Sequence, residues 1–427
     1  MLCGIAPVAC STRTPSQGAC VGKLRWVPRP SSPCLFPWRG ASASSLAVVL
    51  AVSLLVAKEC RGGSRRLKMA MASFGGELEA EVKAAADVVQ KALLLVQALA
   101  CDMDVAPPSL GKEMEGCDVT AGMAGIVEIK PGDSTPVTAA DYAIQGLVAA
   151  ALKQQFPADR FMGEEDSKEL REKPELCNLA LDLCSRFGGH VSKEEFLTSV
   201  DSGLEPDNGQ QRVWVLDPID GTKGFVTGQG YVIGLSLSVA GKPLLGVMGN
   251  PNAVSTPPIM LAVAGHGLSW WASSGGPVEF EPSKPDWASR GFTLPTSVPE
   301  PKEGVDYPPW LLSPQSTRDE CRPFGSMAWA SELCCGSMVK YFAVAAGSHS
   351  GYVQYEENLK TWDHACGVLC VQESGGSATV TDSISKQVEF PGRRFRVRGG
   401  IVSCSRWATE EMRELFLKAA AGNDTGP

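Results

Sequence analysis

Acidic residues are absent from the first 58 positions, and that absence divides the chain before any motif is read. Residues 1–68 carry ten Lys/Arg against one acid, Glu59, whereas the whole 427-residue chain has a net charge of −8. The body is therefore strongly acidic and lacks the basic surplus that a broad nucleic-acid-binding face requires. The apolar run 44–57 has 14 residues, short of the ~20 that span a bilayer. The body also lacks CxxC pairs, Cys and His at zinc-site spacing, internal repeats and low-complexity tracts. With 44% hydrophobic residues over this length, a mini-protein, a fibre and a disordered tail are excluded.

The basic, Ser- and Pro-rich stretch 1–70, followed by possible starts at Met69 and Met71, reads as a removable targeting leader. Import into an organelle is expected, a chloroplast before a mitochondrion. A signal or anchor built on 44–57, a membrane-tethered scaffold, and a cytoplasmic protein from an internal start are the alternatives. Behind the leader, 73–250 is expected to form one α+β half and 251–421 an α/β half, with 422–427 a flexible tail. The ten body cysteines fit a reducing compartment, and Cys177 and Cys184 are the pair that a redox switch would use.

From Glu77, apolar residues at three- and four-residue steps with acids in the first turn predict a helix. A second begins near Asp141, with Ile144, Leu147, Val148 and Leu152 on one face. Residues 166–212 read as a polar, irregular excursion. VWVL at 213–216 is a buried strand, and 231–249 a hairpin with the small residues Gly234, Ser236 and Ser238 on one face. Helices are expected at 332–346, 363–373 and 408–420, and strands at 261–263, 351–355 and 400–403.

The segment LDPIDGTKGF at 216–225 carries the most chemistry. Two carboxylates follow a buried strand, Pro218 fixes the backbone, and Gly221 permits close approach of main chain to a ligand. Carboxylates beside exposed amides suit a hard divalent cation together with a phosphate. Such a site needs further acids, which GEED at 163–166, Asp363 in WDHACG and Asp141 in PVTAAD supply. Each also has a structural use: Asp141 as a helix cap, Glu164 as a solvated loop acid, Asp217 and Asp220 as turn formers, Asp363 as an N-cap. His364 reads as structural, since magnesium sites avoid imidazole.

LDPIDGTKGF, GEED and WDHACG, in that order, with PVTAAD and VMGNPN at 247–252, resemble the inositol monophosphatase superfamily over roughly 77–420. The gap of about 50 residues between GEED and LDPIDG, Lys223 in the motif, and GSMVKY at 336–341 are similar to its 3′(2′),5′-bisphosphate nucleotidase branch. The resemblance implies a layered α/β/α/β/α sugar-phosphatase fold with the site between two halves. It implies two or three Mg²⁺ ions held by Glu164, Asp217, the Ile219 carbonyl, Asp220 and Asp363. Asp141 and Thr222 would hold the attacking water, and the Gly221 and Thr222 amides and Asp363 would meet the substrate. Ser337 and Lys340 would contact a nucleotide.

The activity so implied is removal of the 3′-phosphate from adenosine 3′,5′-bisphosphate, with action on 3′-phosphoadenylyl sulfate open, by a monomer inhibited by Li⁺. The partner is a small phosphate ester, without nucleic-acid polymer or membrane. Two departures keep an inositol or sugar phosphate in play: Gln354 stands where a guanidinium is expected for a second phosphate, and 315–318 reads QSTR. A catalytically silent nucleotide sensor is the reading of another class.

Overall fold

The computed structural model describes residues 78–102, 127–129, 136–189, 191–204, 212–289, 310–312, 330–331, 336–354, 358–380, 388–397 and 400–421. The expectations for the leader, for 315–318 and for the tail 422–427 fall outside these residues.

The strand expected at 213–216 runs over Arg212–Asp220 and lies second in a seven-stranded sheet. It pairs in parallel with Arg160–Gly163 and antiparallel with Val232–Val239, and antiparallel pairing continues through Lys242–Gly249, Ile259–Val263, Gly267–Trp271 and Pro277–Val278. The boundary expected near Asn250 falls inside this sheet. Successive residues of a strand point to opposite faces. Leu235, Leu237, Leu245, Val247 and Leu261 accordingly join the cluster under the helices Glu79–Asp102 and Ala139–Gln155. Val232, Met248, Met260 and Ala262 face the helices Ser337–Ala346 and Ala365–Glu373. The small-residue face of the hairpin lies on this second side, where Met338 rests on Gly234.

Those two helices also pack on a five-stranded sheet in the order Ala330–Ser331, Trp310–Leu312, Gly351–Gln354, Ile401–Cys404, Ser377–Val380. The helix Glu410–Ala421 lies on its strands Gly351–Gln354 and Ile401–Cys404. Helix pair, sheet, helix pair, sheet and helix form the expected α/β/α/β/α sequence of layers, with one hydrophobic cluster on the first face of the larger sheet and, on the other, a second beside a small one of Met162, Val213, Val215 and Trp362.

The stretch 166–212 differs from its expectation. It contains the helices Lys168–Glu172, Pro174–Arg186 and Lys193–Asp201. Leu176, Cys177, Ala180, Leu183 and Cys184 are buried at helical spacing among many charges, and a Ser192–Glu195 capping box starts the third helix. The charged outer faces obscured a narrow apolar stripe. Among the described residues no helix is long and apolar enough to cross a membrane.

Candidate active site

The carboxylates gather where elements end. Arg212–Asp220 delivers Asp217 and Asp220 through a shift in strand register. Gly221 follows at φ +91°, a left-handed conformation that costs glycine little, and the chain turns at once into the short helix Thr222–Val226. Asp363 closes the single turn Thr361–Asp363 just before the helix Ala365–Glu373. Asp217, Asp220 and Asp363 each present a carboxylate oxygen within 4.8 Å of the others.

The surrounding bonds fix these groups. Asp217 accepts from the Ile219 N–H at 3.1 Å. Asp220 accepts from the Ser337 N–H at 3.1 Å and from the Met338 N–H, so the first amides of Ser337–Ala346 reach across to the central sheet. Glu164, just past Arg160–Gly163, pairs with the Lys360 ammonium at 3.3 Å. Asp141 is the third residue of its helix and closes a capping box with Thr138. Its Oδ2 accepts from the Thr138 N–H at 2.8 Å and hydroxyl at 2.6 Å, and its Oδ1 lies 3.3 Å from Thr222 Oγ1. Thr222 Oγ1 is also 3.1 Å from the Ile219 carbonyl oxygen.

Ser337 meets Asp220 through its backbone. Lys340 is buried, donates to the Gly336 carbonyl and lies 5.7 Å from the centre of the Tyr352 ring. Gln354 is buried and accepts from the Tyr352 hydroxyl at 2.7 Å; that hydroxyl is 3.5 Å from Ser337 Oγ. His364 shares a 2.9 Å hydrogen bond with the Tyr341 hydroxyl, and burial followed by the Lys340 charge lowers its pKa to about 3. It is buried, and its ring bonds within the protein. Cys177 and Cys184 are buried free thiols; burial raises both, Cys184 to about 12, which disfavours the reactive thiolate.

Sequence reasoning passed over Gln145 and Tyr352. Gln145 is fully buried between Ile144 and Leu147, and a lone amide in an otherwise apolar helical stretch was the available signal. Tyr352 offered none, because an aromatic residue in a buried strand is ordinary core.

Burial raises Asp217 well above the usual carboxylate range, with Glu164, Asp220 and Asp363 adding to it. Asp363 is raised by burial and then by Asp220 and Glu164, against the pull of Lys360. Burial pushes Asp220 up to about 6, while the Met338 amide, Lys340 and the Ser337 amide hold it down. Like charges gathered on oxygen donors, with neither thiol nor imidazole in the set, fit a hard divalent cation. Linkage gives the sign of the pH dependence. In the cation-free protein, a carboxyl raised from about 4 to about 6 contributes stability in full below about pH 4 and loses it as pH rises through about 6. A divalent cation relieves the cost at high pH and competes with protons at low pH. The rise in melting temperature caused by Mg²⁺ is therefore expected to be large at pH 8 and mostly gone at pH 5, as differential scanning fluorimetry would show.

The sequence matches the profile of the inositol monophosphatase family over residues 110–421. The chain belongs to that family. Among its relatives in the family, the 3′(2′),5′-bisphosphate nucleotidase of Schizosaccharomyces pombe is 31% identical over 307 residues, covering 66% of this chain and 84% of the relative. A protein of Arabidopsis thaliana named as a putative mitochondrial 3′(2′),5′-bisphosphate nucleotidase is 31% identical, covering 68% of this chain and 80% of the relative. The Oryza sativa protein named 3′(2′),5′-bisphosphate nucleotidase is 34% identical over 62% of this chain and 78% of its own. Among solved structures of the family, the Thermotoga maritima inositol monophosphatase is 17% identical with a TM-score of 0.48, over 79% of this chain and 94% of that one.

Proposed function

We propose that the chain is a Mg²⁺-dependent phosphomonoesterase that converts adenosine 3′,5′-bisphosphate to AMP and phosphate. The observation that carries the proposal is the cluster Asp217, Asp220 and Asp363 beside the Asp141–Thr222 pair: a set of oxygen donors next to a carboxylate–hydroxyl pair that can orient water. The names of the relatives from S. pombe, A. thaliana and O. sativa support the nucleotide as substrate.

Glu164, Asp217, the Ile219 carbonyl, Asp220 and Asp363 would hold two or three Mg²⁺ ions. Bound there, the ions supply Lewis acidity to the phosphoryl oxygens and lower the pKa of water. The residues of the chain do the rest. Asp141, with Oδ2 committed to Thr138, uses Oδ1 to accept the Thr222 hydroxyl proton. The hydroxyl oxygen then has lone pairs for a water, which it aims at phosphorus opposite the ribose 3′ oxygen. As the new water–phosphorus bond forms and the phosphorus–ribose bond breaks, the water gives a proton to Thr222 Oγ1, which passes its own to Asp141 Oδ1, and the departing ribose oxygen takes a proton from solvent. The Gly221 and Thr222 amides would bind the phosphoryl oxygens, and Ser337 and Lys340 would contact the nucleotide.

Gln354 supports a second reading. A buried neutral amide whose oxygen is engaged by Tyr352 cannot replace a guanidinium for a second phosphate, so an inositol or sugar phosphate fits the same chemistry. Phosphate release from adenosine 3′,5′-bisphosphate, inositol 1,4-bisphosphate, inositol 1-phosphate and fructose 1,6-bisphosphate separates the two. The nucleotide is expected to lead by about tenfold or more in kcat/KM, and a lead by any of the other esters overturns the nucleotide assignment while keeping the site. Residues 1–70 would direct the protein to an organelle, a chloroplast before a mitochondrion. A fluorescent fusion of that segment tests this, and a diffuse cytoplasmic signal would refute it.

A further inference from the structure

We propose that Gln145 is a positioning residue for the cation site, holding the loop 163–165 that carries Glu164. The inference rests on the reading of Glu164 as a cation ligand.

Gln145 lies one helical turn beyond Asp141 and is fully buried. Its side-chain amide binds three backbone groups at once. Oε1 accepts from the Glu165 N–H at 2.9 Å, and Nε2 donates to the Glu165 carbonyl at 2.7 Å and to the Val200 carbonyl at 2.8 Å. Glu165 follows both the last residue of its strand and Glu164, so its backbone groups have left the sheet ladder. The amide takes the place of a neighbouring strand. Buried backbone groups are costly to leave unpaired, so the loop is pinned where the amide stands. Contact is close enough to dictate the adjoining residue: a Cβ on Gly163 would lie 2.4 Å from Gln145 Oε1.

The same arrangement explains why the helix Lys193–Asp201 ends beside the site. Val200 offers its carbonyl to Gln145, and Asp201 accepts from the Ser167 N–H at 2.8 Å, the Ser167 hydroxyl at 2.7 Å and Arg171 at 3.0 Å. The loop is thus held at 163–165 from the helix Ala139–Gln155 and at 167 from Lys193–Asp201. Between these anchors Glu164 pairs with Lys360 at 3.3 Å, and its charge raises the pKa of Asp217 and Asp363. Only an amide of this length donates to two carbonyls and accepts from an N–H here. Glutamate would lose both donations, and methionine all three bonds.

A merely structural role would lower stability without touching cation affinity, so the test measures both. Mg²⁺ binding to the full chain is followed by isothermal titration calorimetry without substrate, and melting temperature without cation. Gln145→Met and Gln145→Glu are expected to weaken Mg²⁺ binding about 10- to 100-fold, the range for groups that orient ligands. Leu197→Ala, which removes apolar packing from Lys193–Asp201 and no bond to the loop, should lower the melting temperature and leave the Mg²⁺ Kd unchanged. Should the Gln145 variants not fold, Gly163→Ala, which pushes a methyl group against the same amide, is expected to weaken Mg²⁺ binding in a folded protein. Glu164→Gln separates the two levels of the argument. If it weakens Mg²⁺ binding while Gln145→Met, Gln145→Glu and Gly163→Ala bind as wild type, the positioning role is wrong and the ligand reading stands. If Glu164→Gln itself binds Mg²⁺ as wild type, the ligand reading fails and this inference with it.

Discussion

Asp217→Asn is expected to abolish phosphate release and, at the same time, to make the cation-free protein more stable. The carboxylate is 1% exposed and crowded by Glu164, Asp220 and Asp363, which is why its pKa is raised. A raised pKa means that the ionised form costs folding free energy at neutral pH, a cost that asparagine does not carry. Asparagine also keeps the oxygen that accepts from the Ile219 N–H. The gain should be about 1–2 kcal/mol, a few degrees in melting temperature. It should shrink at pH 5, where the wild-type carboxyls take up protons. Activity moves the other way: loss of a carboxylate from the proposed cation site is expected to lower kcat/KM by about 10³-fold, or ~4 kcal/mol. Melting curves without cation and phosphate release with Mg²⁺ check the two halves. A variant that is both less stable and fully active would show Asp217 to be an ordinary structural aspartate.

Gly336→Ala is expected to cost about 10²-fold in kcat/KM while the protein stays folded. A Cβ built on Gly336 would lie 2.2 Å from Asp220 Oδ2 and 2.4 Å from its carboxyl carbon, too close for either group to remain in place. Asp220 is tied to the Ser337 and Met338 amides, so the methyl group pushes the carboxylate away from Asp217 and Asp363 or parts it from those amides. Displacement of a reacting-centre group by about 1 Å costs about 10²-fold. Gly392→Ala is the control, because a Cβ there meets nothing within 4 Å. Wild-type kinetics for Gly336→Ala, with a normal melting temperature, would mean that the position of Asp220 does not govern the reaction.

The elements that carry the site were legible because their signals are local. A buried strand leading to Asp217 and Asp220, a helix start at Asp141 and a helix near 363–373 are each written within ten or so residues, although Asp363 lies in a separate turn, Thr361–Asp363, ahead of the helix Ala365–Glu373. The layer order followed from the resemblance rather than from periodicity. What escaped depends on contacts distant in sequence. Gln145 has meaning only once Glu165 and Val200 are beside it, 20 and 55 residues away. The amides that hold Asp220 lie 117 and 118 residues further on. The helices of 168–201 were hidden for a different reason: a narrow apolar stripe among exposed charges resembles a loop until a partner helix shows which side is buried.

The central claim is that the gathered carboxylates form a cation-dependent hydrolytic site for a nucleotide bisphosphate. Phosphate release from adenosine 3′,5′-bisphosphate by the full chain, after chelation and again after Mg²⁺ is restored, tests it most directly. The account predicts no release after chelation and full recovery with Mg²⁺. Undiminished release in chelator, or none with Mg²⁺ present, would contradict it.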